Sequence, residues 1–529
     1  MKTKKTFLNR FIDTIEYWGN KLPHPFMLFG GMLLVTLFIS WLLARMGGSI
    51  SYMSASKIPG EPEKLVTVAV VNLLSGDNLR YIIIKFPEIF VSYPPLKLVL
   101  VMMAASAFIE KTGFFETFMK KYLPKAPRSL ITFAVVFVGI NANLMSDAGT
   151  ILSLTMGGVI FAALGRNPLI GVILGYASAS GGFTANLFLA GTDALLAGIT
   201  ESIVKEMGLS VPINPAVNYF FMAAATFVLS VTMTIFTEKV VCRMVGDGDG
   251  NLDESLIAKH RLTEDQEKGL RWAFYGFLFF LFIMGLLTIP EGALLRNAKG
   301  GFLPKSPLFE GIIVIIGFAF VATGIPYAAA TGTIKEMRDI PRLVSAGLQQ
   351  AIPLLTTTLI ASLFIDRMKK SNIFKVVAIV GAEILKGADV GLIPLCLMIV
   401  VVTAIINPFM TSGSSKWLLI APMIVPMFTL VNVHPAYVQL AFRIWDSFTN
   451  ICSPLHSALP IIIGLLTEYQ AEGKIPLRPG ETMQRELGIG TIFSLTIPYS
   501  LVLLSTMTVM LSLWLQLDLL IGPGVSKYL

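Results

Sequence analysis

The residues best placed to do chemistry are two charges in an otherwise apolar stretch. Arg443 and Asp446 lie three apart in "RIWDSFTN", which puts them on one face of a helix. A charge inside a membrane segment costs roughly 2.5–3.5 kcal/mol on insertion scales, so such residues face a cavity or find a partner. Arg443 offers a guanidinium for a carboxylate or sulfonyl group, and Asp446 offers a carboxylate for Na⁺ or a proton. The plainer alternative is a structural ion pair that locks helix packing. Asn407-Pro408 breaks an apolar run: proline removes a donor and frees an upstream carbonyl. The Asn407 oxygen, freed carbonyls and the Asp446 carboxylate would make a hard, oxygen-rich site suited to Na⁺, or the pair is an ordinary kink.

Four more features sit close by. Ser412, Ser414 and Ser415 surround Gly413, either as ligands or as small-residue packing glue. Lys416 beside them is expected to snorkel to the interface. Trp417 can stack an aromatic ring or belong to an interfacial belt. Asp193, in "AGTDALLAG", reads as a loop carboxylate just past an apolar span.

The elements that must hold these residues are membrane helices. Of the 529 residues 54% are hydrophobic and only 14% charged, with a mean hydropathy of +0.73. A soluble domain carries roughly 25% charge, so this chain cannot coat a water-facing surface. Its net charge of +8 belongs to cytoplasmic loops facing anionic lipid rather than to nucleic-acid binding. The apolar runs predict spans near 26–47, 95–111, 168–188, 216–240, 270–290, 308–330, 344–365, 436–462 and 490–516.

Two further apolar regions, 129–165 and 389–430, are interrupted by "NANLMSDAGT" and "NPFMTSGSSK". Irregular backbone cannot face lipid, so these read as re-entrant hairpins lining a cavity. The expected fold is therefore an all-α polytopic membrane protein with about nine transmembrane helices and two re-entrant helical hairpins.

The interrupted regions look like copies about 266 residues apart, with Asn141 opposite Asn407, Ser146 opposite Ser412, and Asn167-Pro168 opposite His434-Pro435 one residue later. Five intervening spans would invert the second copy, a recurring arrangement in membrane carriers. Lys2, Lys4, Lys5, Arg10 and Lys21 place the N-terminus in the cytoplasm. Residues 189–215, with Lys205 against Asp193, Glu201 and Glu206, read as an outside loop. The basic segment 366–388 breaks strict alternation: either a span is miscounted or an amphipathic helix lies flat there.

"GINANLMSDAG", "GYASASGGFTANLFLAGTDALLAGIT", "INPFMTSGSSKWLLIAPMIVPMF" and "RIWDSFTNICSPLHSALP" resemble the p-aminobenzoyl-glutamate transporter (AbgT) family over nearly the whole chain. The resemblance implies a dimeric protein of the bacterial inner membrane with a moving core and a dimerising scaffold, within a wider ion-transporter superfamily. The two interrupted regions and the broken helix after each, 129–200 and 389–462, would make the core. It implies transport of p-aminobenzoyl-glutamate and, in some members, export of sulfonamide antimetabolites. Carried over, the ion site is Asn407 with Asp446, and the substrate path is Asp193, Ser414, Trp417, Pro435, Arg443 and Asp446. No cofactor is implied beyond a coupling ion, Na⁺ or H⁺. A Na⁺-coupled carboxylate or dicarboxylate carrier of the same superfamily is the alternative.

Other classes fare worse. No GxxxxGK[ST] P-loop is present, so ATP drive is not expected. Three cysteines without paired spacing, and four scattered histidines, give no zinc pattern. "DGDGNLD" begins like an EF-hand but has Leu252 where glycine is needed. An ion channel would need a continuous symmetric pore. An intramembrane protease would need its residues inside spans, whereas "GDGD" lies in a basic-flanked loop.

Overall fold

Long apolar runs become helices because a helix satisfies its own backbone where water is absent. The computed structural model describes residues 25–54, 64–122, 130–183, 185–209, 211–248, 250, 262–302, 306–387, 394, 399, 412–453, 456–476 and 487–529. Asn407 lies outside the described residues, as does the first arm of the second interrupted region.

The described residues open with α1 (Pro25–Arg45), then an antiparallel pair that the sequence did not suggest, β1 (Ser49–Ser54) and β2 (Lys64–Ala69). Helices α2 (Gly76–Val91), α3 (Pro94–Lys111) and α4 (Phe114–Tyr122) follow. Next come α5 (Ile131–Asn141), a 3₁₀ turn over Ala142–Met145, α6 (Ser146–Ala163), α7 (Pro168–Gly181), α8 (Gly191–Glu206) and α9 (Tyr219–Phe236). Then α10 (Glu264–Thr288), α11 (Ile312–Ala330), α12 (Asp339–Leu348), α13 (Ile352–Ser371) and α14 (Ile373–Gly387) lead to the second unit. That unit holds α15 (Gly413–Thr429), α16 (Pro435–Asn450), α17 (Leu459–Ala471) and α18 (Ile489–Gln516).

Among the described residues, Phe26–Arg45, Tyr219–Val245, Glu264–Thr288, Ile312–Ala330 and Ile489–Gln516 are long and apolar enough to cross a membrane. On α10 the side chains of Phe274, Phe279, Phe282 and Leu286 are exposed, as a lipid-facing helix requires. The runs at 168–188 and 436–462 are not simple spans. Helix α7 stops at Gly181, and all of it is buried. Helix α16 stops at Asn450 and α17 begins at Leu459. Helix α7 is apolar because it faces protein on every side, and hydropathy does not separate that from facing lipid.

The first interrupted region folds back on itself. A Cβ on Gly139 of α5 would come within 2.8 Å of Ser153 Oγ on α6, an approach impossible along one continuous helix. Asn141 anchors the bend: its Nδ2 donates to the Phe137 carbonyl (2.8 Å) and its Oδ1 accepts from Leu187 N–H (3.1 Å).

One turn is built twice. Gly165 (φ 68°) and Asn432 (φ 66°) both take the left-handed conformation that ends α6 and α15. The next N–H donates back to a phenylalanine carbonyl in each copy, Arg166 to Phe161 (2.8 Å) and Val433 to Phe428 (3.1 Å). The following residue caps the next helix: Asn167 Oδ1 accepts from Leu169 N–H (3.0 Å), and His434 Nδ1 from Ala436 N–H (3.1 Å). Proline fills the first helical position of both α7 and α16. Each turn also forms a β-bridge to chain beyond its own long helix, Arg166 to Gly248 and Val433 to Tyr528.

The basic segment 366–388 resolves into two pieces. Residues through Ser371 finish α13, Asn372 (φ 63°) ends it in the left-handed conformation, and α14 turns away to pack against α15.

Candidate functional site

Helix α8 replaces the loop expected at 189–215. Its Asp193 sits in the first turn, where Oδ2 accepts from Ala190 N–H (2.6 Å) and so caps the helix that carries it. Asp193 is 2% exposed, and its other oxygen accepts from Arg443 Nη2 in an ion pair. A carboxylate beside "AGT" looks like a solvated loop residue in sequence. It is buried because the helix starts there and the partner charge arrives from α16.

Asp446, one turn further along α16, is joined to α15 by an ion pair with Lys416. Lys416 is fully buried, correcting the expectation that it reaches the interface. Its ammonium also approaches Asn450 Oδ1 (3.4 Å), while Asn450 Nδ2 lies 3.5 Å from Asp446 Oδ2. The start of α15 fits around this carboxylate: a Cβ on Gly413 would collide with Asp446 Oδ2. Ser412 caps α15, with its Oγ accepting from Ser415 N–H (3.3 Å), and Ser414 Oγ lies 3.1 Å from Ser412 Oγ. Arg443 and Asp446 thus reach two different helices from one face of α16.

A polar chain runs beside these pairs. Trp417 Nε1 donates to Thr200 Oγ1 (3.0 Å), which donates to Gln439 Oε1 (2.6 Å). Gln439 Nε2 donates to Asn218 Oδ1 (3.0 Å), and Asn218 Nδ2 to the Ala436 carbonyl (2.9 Å). The Trp417 ring is buried and stacks on Phe442 at 4.6 Å and 29°. It therefore does not lie in an interfacial belt.

Of the residues singled out from sequence, the structure gathers Asp193, Trp417, Arg443 and Asp446 where α8, α15 and α16 meet. Ser414 stands half-buried in the first turn of α15, and Pro435 is the buried first residue of α16. Thr200, Gln439, Asn218 and Asn450 were missed. A signal was present: Gln439, Arg443, Asp446 and Asn450 follow i, i+4, i+7, i+11 spacing, and Thr200 lies two turns from Asp193.

One further cluster is structural. Glu238, Cys242 and Asp247 converge, but Arg166 fills the space among them, at 2.9 Å from Glu238 and 2.9 Å from Asp247. It ties the repeated turn to the end of α9.

Comparison with known proteins places this architecture. The family model described as "AbgT putative transporter family" matches residues 10–529. The p-aminobenzoyl-glutamate transport protein of Escherichia coli (strain K12) is 30% identical over 511 residues, 97% of this chain and 96% of that protein. The crystal structure of the Alcanivorax borkumensis YdaH transporter superposes with a TM-score of 0.82 at 27% identity, covering 95% of this chain and 100% of that one. The structure of Neisseria gonorrhoeae MtrF, described as illuminating a class of antimetabolite efflux pumps, gives 0.85 at 31% identity, covering 96% and 97%. The chain is a membrane transporter, not an enzyme, and it belongs to the AbgT transporter family.

Proposed function

We propose that this chain is a secondary-active carrier of small aromatic anions such as p-aminobenzoyl-glutamate, driven by a Na⁺ or H⁺ gradient. The observation that carries this reading is the pair of buried ion contacts fanning from α16, Arg443 to Asp193 on α8 and Asp446 to Lys416 on α15. Buried charges held between separate helices are costly, and they suit groups that exchange partners during a transport cycle. Arg443 is the natural ligand for the substrate's carboxylate, with Asp193 holding it until substrate arrives. Asp446, with Asn407, is the seat of the coupling ion. Ser414 and Pro435 lie on the same path. Trp417 reaches an aminobenzoyl ring only once α15 has moved, because its ring now stacks on Phe442.

In this reading residues 129–200 and 389–462 form the moving core, with hairpins that enter and leave the membrane on one side. The remaining helices form a scaffold that also dimerises. The N-terminus is cytoplasmic and the membrane is the bacterial inner membrane. Sulfonamide antimetabolites, which share the aminobenzene ring, leave by the same path.

Exchange in proteoliposomes tests the carrier. Preloaded unlabelled p-aminobenzoyl-glutamate should accelerate entry of labelled substrate, and sulfonamides should compete. Entry that neither saturates nor responds to preloading would indicate a channel instead.

A further inference from the structure

We infer that Lys416 is a tethered cation that occupies, in this conformation, the seat a coupling cation would take at Asp446. This deepens the carrier reading, and its direct test does not depend on transport.

Four observations converge. The ammonium is fully buried and its neighbours are oxygen acceptors, the Asp446 carboxylate and Asn450 Oδ1. Oxygen donors of this kind satisfy an alkali cation as well as an ammonium. Lys416 is also the fourth residue of α15, within the positive end of that helix. A cation gains nothing from that end of the helix, so the attraction of Asp446 must hold it there. Gly413 leaves room for the carboxylate against the first turn of α15, and any larger residue would push it away. Finally, cation and carboxylate come from different helices, so parting α15 from α16 separates them.

Charge balance then sets the consequence. Withdrawing the ammonium removes one positive charge from beside a buried carboxylate, a charge that a single monovalent cation restores. Lys416 and an external cation therefore compete for one seat. While the lysine is home, cations gain no purchase.

Thermal unfolding of the purified protein in detergent tests this, with NaCl exchanged for choline chloride at constant ionic strength. Wild type should respond equally to both salts. Lys416→Met, which keeps the chain's bulk without its charge, should melt about 2 °C higher in about 100 mM Na⁺ than in choline. Adding Asp446→Asn should erase that difference. Should Lys416→Met fail to fold, Lys416→Gln preserves a donor to Asp446 and should show the same Na⁺ response. A wild type stabilised by Na⁺ in an Asp446-dependent way would overturn the inference, because the seat would then be open with Lys416 present. Folded Lys416 variants indifferent to Na⁺ would also overturn it. A Na⁺ response confined to the variants supports the seat whatever the flux measurements give.

Discussion

Asp193 and Arg443, 250 positions apart in the chain, meet in a buried ion pair that joins the start of α8 to the middle of α16. The same carboxylate caps α8 through Ala190. Its removal therefore takes the carboxylate from a buried guanidinium and uncaps a helix together.

Asp193→Ala and Arg443→Met should each destabilise the protein by about 3–5 kcal/mol, since each removes one partner of a buried ion pair. The double variant Asp193→Ala with Arg443→Met should cost clearly less than the sum of these two single changes. A double-mutant cycle by thermal unfolding measures this. Additive losses would mean the two side chains do not act as a pair.

Trp417→Phe should retain stacking on Phe442 but lose the hydrogen bond to Thr200. A cost of about 1 kcal/mol is expected. Thr200→Val should cost less in the Trp417→Phe background than in wild type, because only its bond to Gln439 then remains to be broken. Equal effects in both backgrounds would detach Trp417 from the polar chain.

Gly413→Ala should lose transport while leaving the protein folded, at a stability cost of about 1–3 kcal/mol from overpacking. The nearest atoms that the added methyl meets among the described residues are those of the Asp446 carboxylate. Flux and thermal unfolding of the same preparation separate the two effects, and undiminished flux would show that this close approach is dispensable.

At the repeated turn, Gly165→Ala should cost about 1–2 kcal/mol, because it forces a Cβ into the left-handed region. Asn432→Gly should stay within a few tenths, since asparagine already tolerates that conformation. Both outcomes follow from a left-handed residue at the same place in each copy of the turn; melting temperatures report them, and a Gly165→Ala that costs nothing would contradict it.

Much of this architecture was legible because burial and hydropathy share a signature. The break at 141–150 and the charged face of α16 stand out against apolar surroundings, and the pairing of Asn167-Pro168 with His434-Pro435 marks the repeated turn. Other features were hidden for physical reasons. Asp193 looked like a loop residue because small residues precede it, and its partner lies far along the chain. Lys416 looked exposed because a lone lysine normally is; only the approach of Asp446 from α16 makes burial tolerable. Helix α7 reads as a lipid span because an apolar segment does not record what surrounds it. The β1–β2 pair was missed beside runs whose apolar signal was far stronger.

Coupled transport through Asp446 is tested by p-aminobenzoyl-glutamate and sulfonamide flux in proteoliposomes under separately imposed Na⁺ and H⁺ gradients, for wild type and Asp446→Ala. Saturable flux driven by one gradient, and lost in Asp446→Ala despite correct folding, is the expected result. Flux indifferent to both gradients and to Asp446 would contradict the account.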